Sequence, residues 1–189
     1  MKRILLTAII LFFSMTILLG IIYPTFVWVI GTLFFNEQTN GSLIVKDGKI
    51  IGSKLIAQPF VGEQYFHPRP SICDYNPTAS GGSNLAPSNI TLAKRVNQYI
   101  DEMKKENAAP IPSDMVMSSA SGLDPDISVE SALCQVPRIA KVREIDEKTL
   151  IDIINQHIEW PFLGFIGEPR VNVLLLNIYL DNNYNWRMK

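Results

Sequence analysis

From Ile4 to Phe35 the chain carries no Asp, Glu, Lys, Arg or His and is predominantly apolar. A helix needs roughly 20 apolar residues to cross the hydrocarbon core of a bilayer, so this run is long enough to span even when tilted. Gly20, Pro24 and Gly31 would weaken a soluble helix. Such residues are tolerated in membrane helices, and Pro24 is expected to bend this one. A cleaved leader has a shorter apolar core, about 7–15 residues, ending in a small-x-small site. The exit sequence GTLFFNEQTNG has no such site, so the pattern predicts an uncleaved anchor.

Past the anchor the periods shorten. Ser42–Val45 and Lys49–Ile51 favour strands, and Asp47-Gly48 between them is a hairpin turn signal. With Lys54–Ala57 the reading is two or three antiparallel strands, stopped by Pro59. Gln58–Pro87 has no apolar period and carries five prolines and a Gly81-Gly82 pair. A helix is expected from Ser88 to about Glu106. Leu92, Ala93, Val96, Tyr99, Ile100 and Met103 form its stripe. Asn107–Ile127 reads as loop. Ser128 can cap a second helix, with Glu130 in its first turn and Pro137 to limit or kink it. Asp146 can cap a third, with Leu150, Ile151, Ile154 and Ile158 on its buried face and Trp160-Pro161 at its end. Finally Val171–Ile178 is apolar in both phases, which predicts a strand covered on both faces and central in a small sheet. The expected fold is a single N-terminal transmembrane helix plus a small α+β domain. That domain has a largely antiparallel sheet, about three helices and a long irregular loop. The division falls at residues 1–35 and 36–189.

Charge sets the orientation. Lys2 and Arg3 precede the span, and the first basic residue beyond it is Lys46. The positive-inside rule then puts the N-terminus in the cytoplasm and the domain outside. Without those two cations the remainder has 17 − 2 = 15 Lys+Arg against 18 Asp+Glu. A slightly acidic domain without a basic stripe argues against a nucleic-acid partner. Cys73 and Cys134 fall in the outside portion, where a disulfide is permitted, but one potential bridge is no disulfide framework and two unpaired thiols are the favoured reading.

His67 and His157 have no partner at metal-ligand spacing, so no metal site is expected. A Ser–His–acid triad, through His67 or Ser80, would make the domain an anchored extracellular hydrolase, but no G-x-S-x-G elbow is present. Ser80, Gly81, Gly82 and Ser83 could offer backbone amides to a phosphate, making a nucleotide-binding regulator the alternative reading. No lysine follows as in a P-loop, and a tight turn explains the same residues. The long loop is too rich in aromatics to read as disordered, and loops of that length are commonly functional. Arg69 between Pro68 and Pro70 is either a solvated charge or a guanidinium held stiffly for a partner.

The ordered blocks of the chain resemble one family. Tyr23-Pro24 lies in the span, followed by NGSLI at Asn40–Ile44 and GS-LI-Q-F within Gly52–Phe60. YFHPRPS follows at Tyr65–Ser71, and YN and ASGGSNL lie within Tyr75–Asn89. SGLDP and QVPR lie within Ser121–Arg143, and GEPRVNVL lies within Gly167–Leu180. Together they resemble the C subunit of the Kdp-type potassium-transporting P-type ATPase, over nearly the whole chain. The resemblance implies a non-catalytic accessory subunit in the bacterial inner membrane. Its implied partners are a potassium-carrying channel-like subunit, an ATP-hydrolysing subunit and a very small membrane subunit. It implies no cofactor of its own; ATP would be associated through the ATPase subunit, whose ATP affinity this subunit raises as a catalytic chaperone. Tyr65, Phe66, Arg69, Tyr75, Asn76 and Asn84 of the long loop are the expected partner contacts.

Overall fold

The computed structural model describes residues 1–106 and 110–184. The chain forms two compact units, Met1–Leu43 and Ile44–Lys189. In the first, one continuous apolar helix covers Lys2–Phe34, and none of its most apolar stretch is buried in the protein. It consists of α1 (Lys2–Ile17), a π-helical stretch (Leu18–Ile22) and α2 (Tyr23–Phe34). The widened turns sit just before Pro24, whose ring would clash with the carbonyl four residues back and which has no N–H to donate. The Tyr23 amide reaches five residues back, to Leu18 O. Proline is thus absorbed without ending the helix. A short α3 (Asn36–Thr39), not foreseen from the sequence, follows.

Strands β1 (Leu43–Lys46) and β2 (Lys49–Ser53) form the expected hairpin. Both turn residues have positive φ, 51° at Asp47 and 74° at Gly48. That is the turn whose twist matches paired strands and which Asp-Gly favours. The third strand considered over Lys54–Ala57 does not form. Ser53 Oγ accepts from the Leu55 amide at 3.1 Å, and the Ala57 amide bonds Leu123 O at 2.9 Å, so the chain turns there.

Helix α4 (Ile90–Glu106) starts after Asn89, whose Oδ1 accepts from the Thr91 amide at 2.8 Å. Its described stripe residues are at most half-buried. After a short strand β3 (Asp126–Ser128), Ser128 caps α5 (Val129–Arg143) by accepting from the Ser131 amide. This helix runs through Pro137 and ends with Glu144 in the left-handed region. Asp146 caps α6 (Glu147–Gln156). That helix stops before the expected Trp160-Pro161 break, because Ile158 already belongs to strand β4 (Ile158–Glu159).

The C-terminal apolar run is the main correction. Only β5 (Arg170–Asn172) is strand, central between antiparallel β3 and β4, with Val171 opposite both Ile127 and Ile158. Val173–Asn183 is helix α7. Asn172 makes the switch: its Oδ1 caps the helix at the Leu175 amide, while its Nδ2 donates to Lys54 O and Asp126 Oδ1. A helix buried on most sides is apolar in both phases just as a central strand is, so periodicity cannot separate them. Phe66, Ile127, Ile139, Leu150, Ile154, Val171, Leu176 and Leu180 are fully enclosed members of one hydrophobic core.

Candidate functional site

The long loop Gln58–Pro87 is folded onto its own unit, and buried polar side chains of α5 and α7 hold it there. Three successive loop carbonyls accept from two guanidinium groups. Arg138 Nη1 donates to Glu63 O and, at 3.0 Å, to Tyr65 O, while Arg143 Nε donates to Gln64 O at 2.7 Å. Asn177 then reads both faces of the next residue, with Oδ1 accepting from Phe66 N at 2.8 Å and Nδ2 donating to Phe66 O at 2.9 Å. Gln135 repeats the device one residue on, accepting from His67 N and donating to His67 O. A buried extended segment normally satisfies its backbone against a neighbouring strand. Here two carboxamides and two arginines take that place. Phe66 can therefore enter the core without stranding its peptide groups.

The arginines are buried cations and need compensation. The Arg143 side chain has no exposed surface; it pairs with Asp181 at 2.7 Å, donates to Tyr184 O and lies 5.2 Å from the Tyr65 ring centroid. Arg138 Nη2 donates to Gln135 Oε1 at 2.8 Å, which fixes the orientation of that carboxamide.

The second half of the loop lies along residues 119–124. Arg69 pairs with Asp124 at 2.9 Å, and Tyr75 donates its hydroxyl to Arg69 O at 3.0 Å. Burial above all pushes the Tyr75 hydroxyl up to about 12, so it stays a donor at any physiological pH. Ser71 Oγ donates to Gly122 O, and both Ser80 Oγ and the Gly81 amide donate to Ser121 O. The glycines earn their places through contact: a Cβ on Gly82 would meet Ala120 O at 2.9 Å, and one on Gly122, at φ +69°, would meet Cys73 Sγ at 2.6 Å. Both cysteines are free thiols.

The expected contact residues therefore divide. Phe66 is corrected outright: it is fully enclosed and has no surface to offer a partner. Tyr65 and Tyr75 are half-buried and hydrogen-bonded inward, Tyr65 to Asp181 at 3.2 Å. Arg69 keeps about a quarter of its side chain exposed (27%). Asn76, whose Oδ1 accepts from Thr78, and Asn84, at φ +52°, are exposed. The sequence did not single out Gln135, Arg138, Arg143 or Asn177, although polar residues set among the apolar positions of α5 and α7 were the available signal.

Arg69 also borders a cleft of about 650 Å³, with Asp114, Asp124, Asp126, Glu130, Glu168 and Arg170. Its polar groups are largely spoken for within the chain. Asp114 accepts from Ser131 Oγ and the Ser128 amide; burial opposes its ionisation, but those bonds outweigh it and leave the carboxyl below its usual value. Arg170 pairs with both Asp126 and Glu159 at 3.0 Å. No group of three potential metal-ligating side chains occurs among the described residues.

His67 gives this region a pH dependence. Burial first, then the nearby Arg138 charge, lowers its pKa to about 4, against a weaker raising effect of the bond to Gly62 O. An unfolded histidine titrates near 6.5, so between those values the unfolded state binds more protons and stability rises with pH. The domain is expected to lose about 3 kcal/mol as pH falls from 7 to 4. Urea denaturation at both pH values should show that loss shrinking in His67→Gln.

With this geometry in view, comparison with known proteins is decisive. Residues 5–182 match the family KdpC, the K+-transporting ATPase c chain. The chain belongs to the KdpC family. It is similar to the potassium-transporting ATPase KdpC subunit of Rhodopseudomonas palustris strain BisB18, 46% identical over 189 residues, covering 92% of this chain and 95% of the relative. Similar too are the KdpC subunits of Methylobacterium nodulans, 45% identical over 183 residues (89% and 91%), and of Koribacter versatilis, 44% identical over 184 residues (96% and 95%). A KdpC chain is an accessory subunit of the potassium-transporting ATPase, and this one carries one N-terminal apolar helix suited to anchor it in the membrane.

Proposed function

We propose that this KdpC chain works from the outer face of the membrane, as an assembly subunit of the potassium pump. The observation that carries this reading is the charge asymmetry around the span: Lys2 and Arg3 precede it, and no basic residue follows until Lys46. The N-terminus then lies in the cytoplasm and the folded domain outside, beside the potassium-carrying, ATP-hydrolysing and small membrane subunits. The part-exposed Arg69 and the exposed Asn76 and Asn84 are the loop groups left to meet those neighbours. From outside, the domain cannot touch cellular ATP. Its chaperone effect on the ATP affinity of the hydrolysing subunit is therefore a coupling free energy transmitted through the membrane subunits.

Topology is the deciding measurement. In a chain lacking Cys73 and Cys134, a cysteine replacing exposed Ser88 should react with a membrane-impermeant maleimide in intact cells. Labelling only after permeabilisation would reverse the orientation and remove the argument for action at a distance.

The nucleotide alternative predicts direct binding through Ser80–Ser83. Against it, the Gly81 amide already donates to Ser121 O. A Cβ at Gly81 meets nothing within 4 Å, so Gly81→Val is expected to leave folding intact. Isothermal titration of the full chain in detergent should detect no ATP binding in either version. Binding by the parent that Gly81→Val abolishes would establish the alternative.

A further inference from the structure

Between β4 and β5 the chain runs out into a hairpin whose tip is almost wholly apolar. Trp160, Phe162, Leu163 and Phe165 are each at least 70% exposed, and Ile166 is 52% exposed. Single exposed apolar residues are ordinary on protein surfaces; five within seven consecutive positions are not. No charge lies between Glu159 and Glu168. The charged residues gather at the stem instead, where Arg170 pairs with Glu159 and Asp126.

Much of the tip backbone bonds to itself. Phe162 and Ile166 exchange amide–carbonyl bonds at 3.0 Å each, Gly164 donates to Pro161 O, and Phe165 donates to Phe162 O. Pro161 has no N–H to satisfy. Leu163 stands at φ +54°, a conformation that costs a side-chain-bearing residue roughly 1 kcal/mol and that glycine would adopt freely. Nothing inside the domain repays that strain, because the Leu163 side chain points away from the fold with most of its surface bare.

We infer that this hairpin, Trp160 to Ile166, is a second membrane contact, inserting its aromatic and aliphatic tip into the interfacial layer of the lipid bilayer. Lipid is the occupant for three reasons. The chain is already tied to a bilayer by the Lys2–Phe34 helix, and residues 35–42 that lead to β1 can extend no more than about 30 Å. That keeps the domain within roughly its own diameter of the surface. Tryptophan favours the membrane–water boundary, phenylalanine and leucine join it on the apolar face of segments that lie there, and an uncharged tip on a paired, polar stem matches its polarity gradient. Four tip amides, those of Phe162, Gly164, Phe165 and Ile166, are already bonded within the hairpin, which lowers the number of backbone groups that would exchange water for that layer. The inference is independent of which side of the membrane the domain occupies.

The test uses the full chain with Trp28→Phe and Trp186→Phe, so that Trp160 is the only tryptophan, reconstituted in phosphatidylcholine bilayers. With lipids brominated near the headgroup, Trp160 emission should lose about half or more of its intensity. A chain keeping only Trp28, within the span, is the positive control. Phe162→Asp with Phe165→Asp should abolish the Trp160 quenching while the circular dichroism spectrum stays unchanged, since both side chains are exposed. Equal Trp160 emission in brominated and plain lipid, with Trp28 quenched, would overturn the inference. So would quenching that survives the double Asp variant. If Trp160 is unquenched in the chain alone but becomes shielded from iodide in the assembled pump, the hairpin is a subunit contact and the lipid assignment falls.

Discussion

Arg143→Met should destabilise the folded domain by about 3 kcal/mol or more, although a methionine fills much of the same space. The substitution leaves Gln64 O and Tyr184 O without their donors and removes the cationic partner of Asp181, which keeps only the Tyr65 hydroxyl. A carbonyl stripped of its donor costs up to about 1–3 kcal/mol when buried, and these two lie in part-buried bonds, so they supply part of the effect and the loss of the buried cation's packing and pairing the rest. Asp181→Asn is the informative comparison. The Asp181 side chain is 39% exposed and can be rehydrated, so losing that one charge should cost about 1 kcal/mol or less. Urea denaturation followed by far-ultraviolet circular dichroism would measure both. Equal losses would mean that the ion pair, rather than the carbonyl bonds, is what Arg143 contributes.

Phe66→Ala should cost about 3–5 kcal/mol, the range for emptying a phenylalanine site in a packed core. The ring is fully enclosed within the main core cluster. Its backbone is fixed on both sides by Asn177, so the segment cannot slide inward to fill the void. Phe66→Leu, which keeps most of the volume, should recover more than half of the loss. A thermal melt in which Ala and Leu behave alike would show that the loop relaxes around the site, contrary to the tight hold of the carboxamide.

These two residues show where the sequence was legible and where it was not. Helix starts were readable because a cap is a local event: Ser128 and Asp146 each bond an amide three residues ahead, and the helix expected from Ser88 begins two residues later, after Asn89. The Asp47-Gly48 turn was readable for the same reason. The length and apolarity of the anchor needed no tertiary information at all. Val173–Asn183 was misread as strand because its burial is decided by neighbours distant in sequence, and Asn172 performs two tasks that periodicity cannot distinguish. The long loop folds onto its own unit as its aromatics suggested, but Phe66 faces the core rather than a partner. Whether an aromatic in an irregular segment faces a partner or its own core depends on donors far along the chain. Those donors, Gln135, Arg138, Arg143 and Asn177, were in plain view as polar residues on apolar helices. The acidic cleft draws its carboxylates from loop, helix and strand, and so had no signature in any one stretch.

The carboxamide pairing at Phe66 and His67 also bears on how fluctuations are distributed. Neither residue belongs to a helix or strand, yet both amides are tied to side chains that lie in the core of two helices. Deuterium can reach them only when the bonds to Asn177 and Gln135 break and Phe66 leaves the core, so their exchange should be as slow as that of the central sheet. A protection map inferred from regular secondary structure would colour this stretch as the first to open, when it opens with the last.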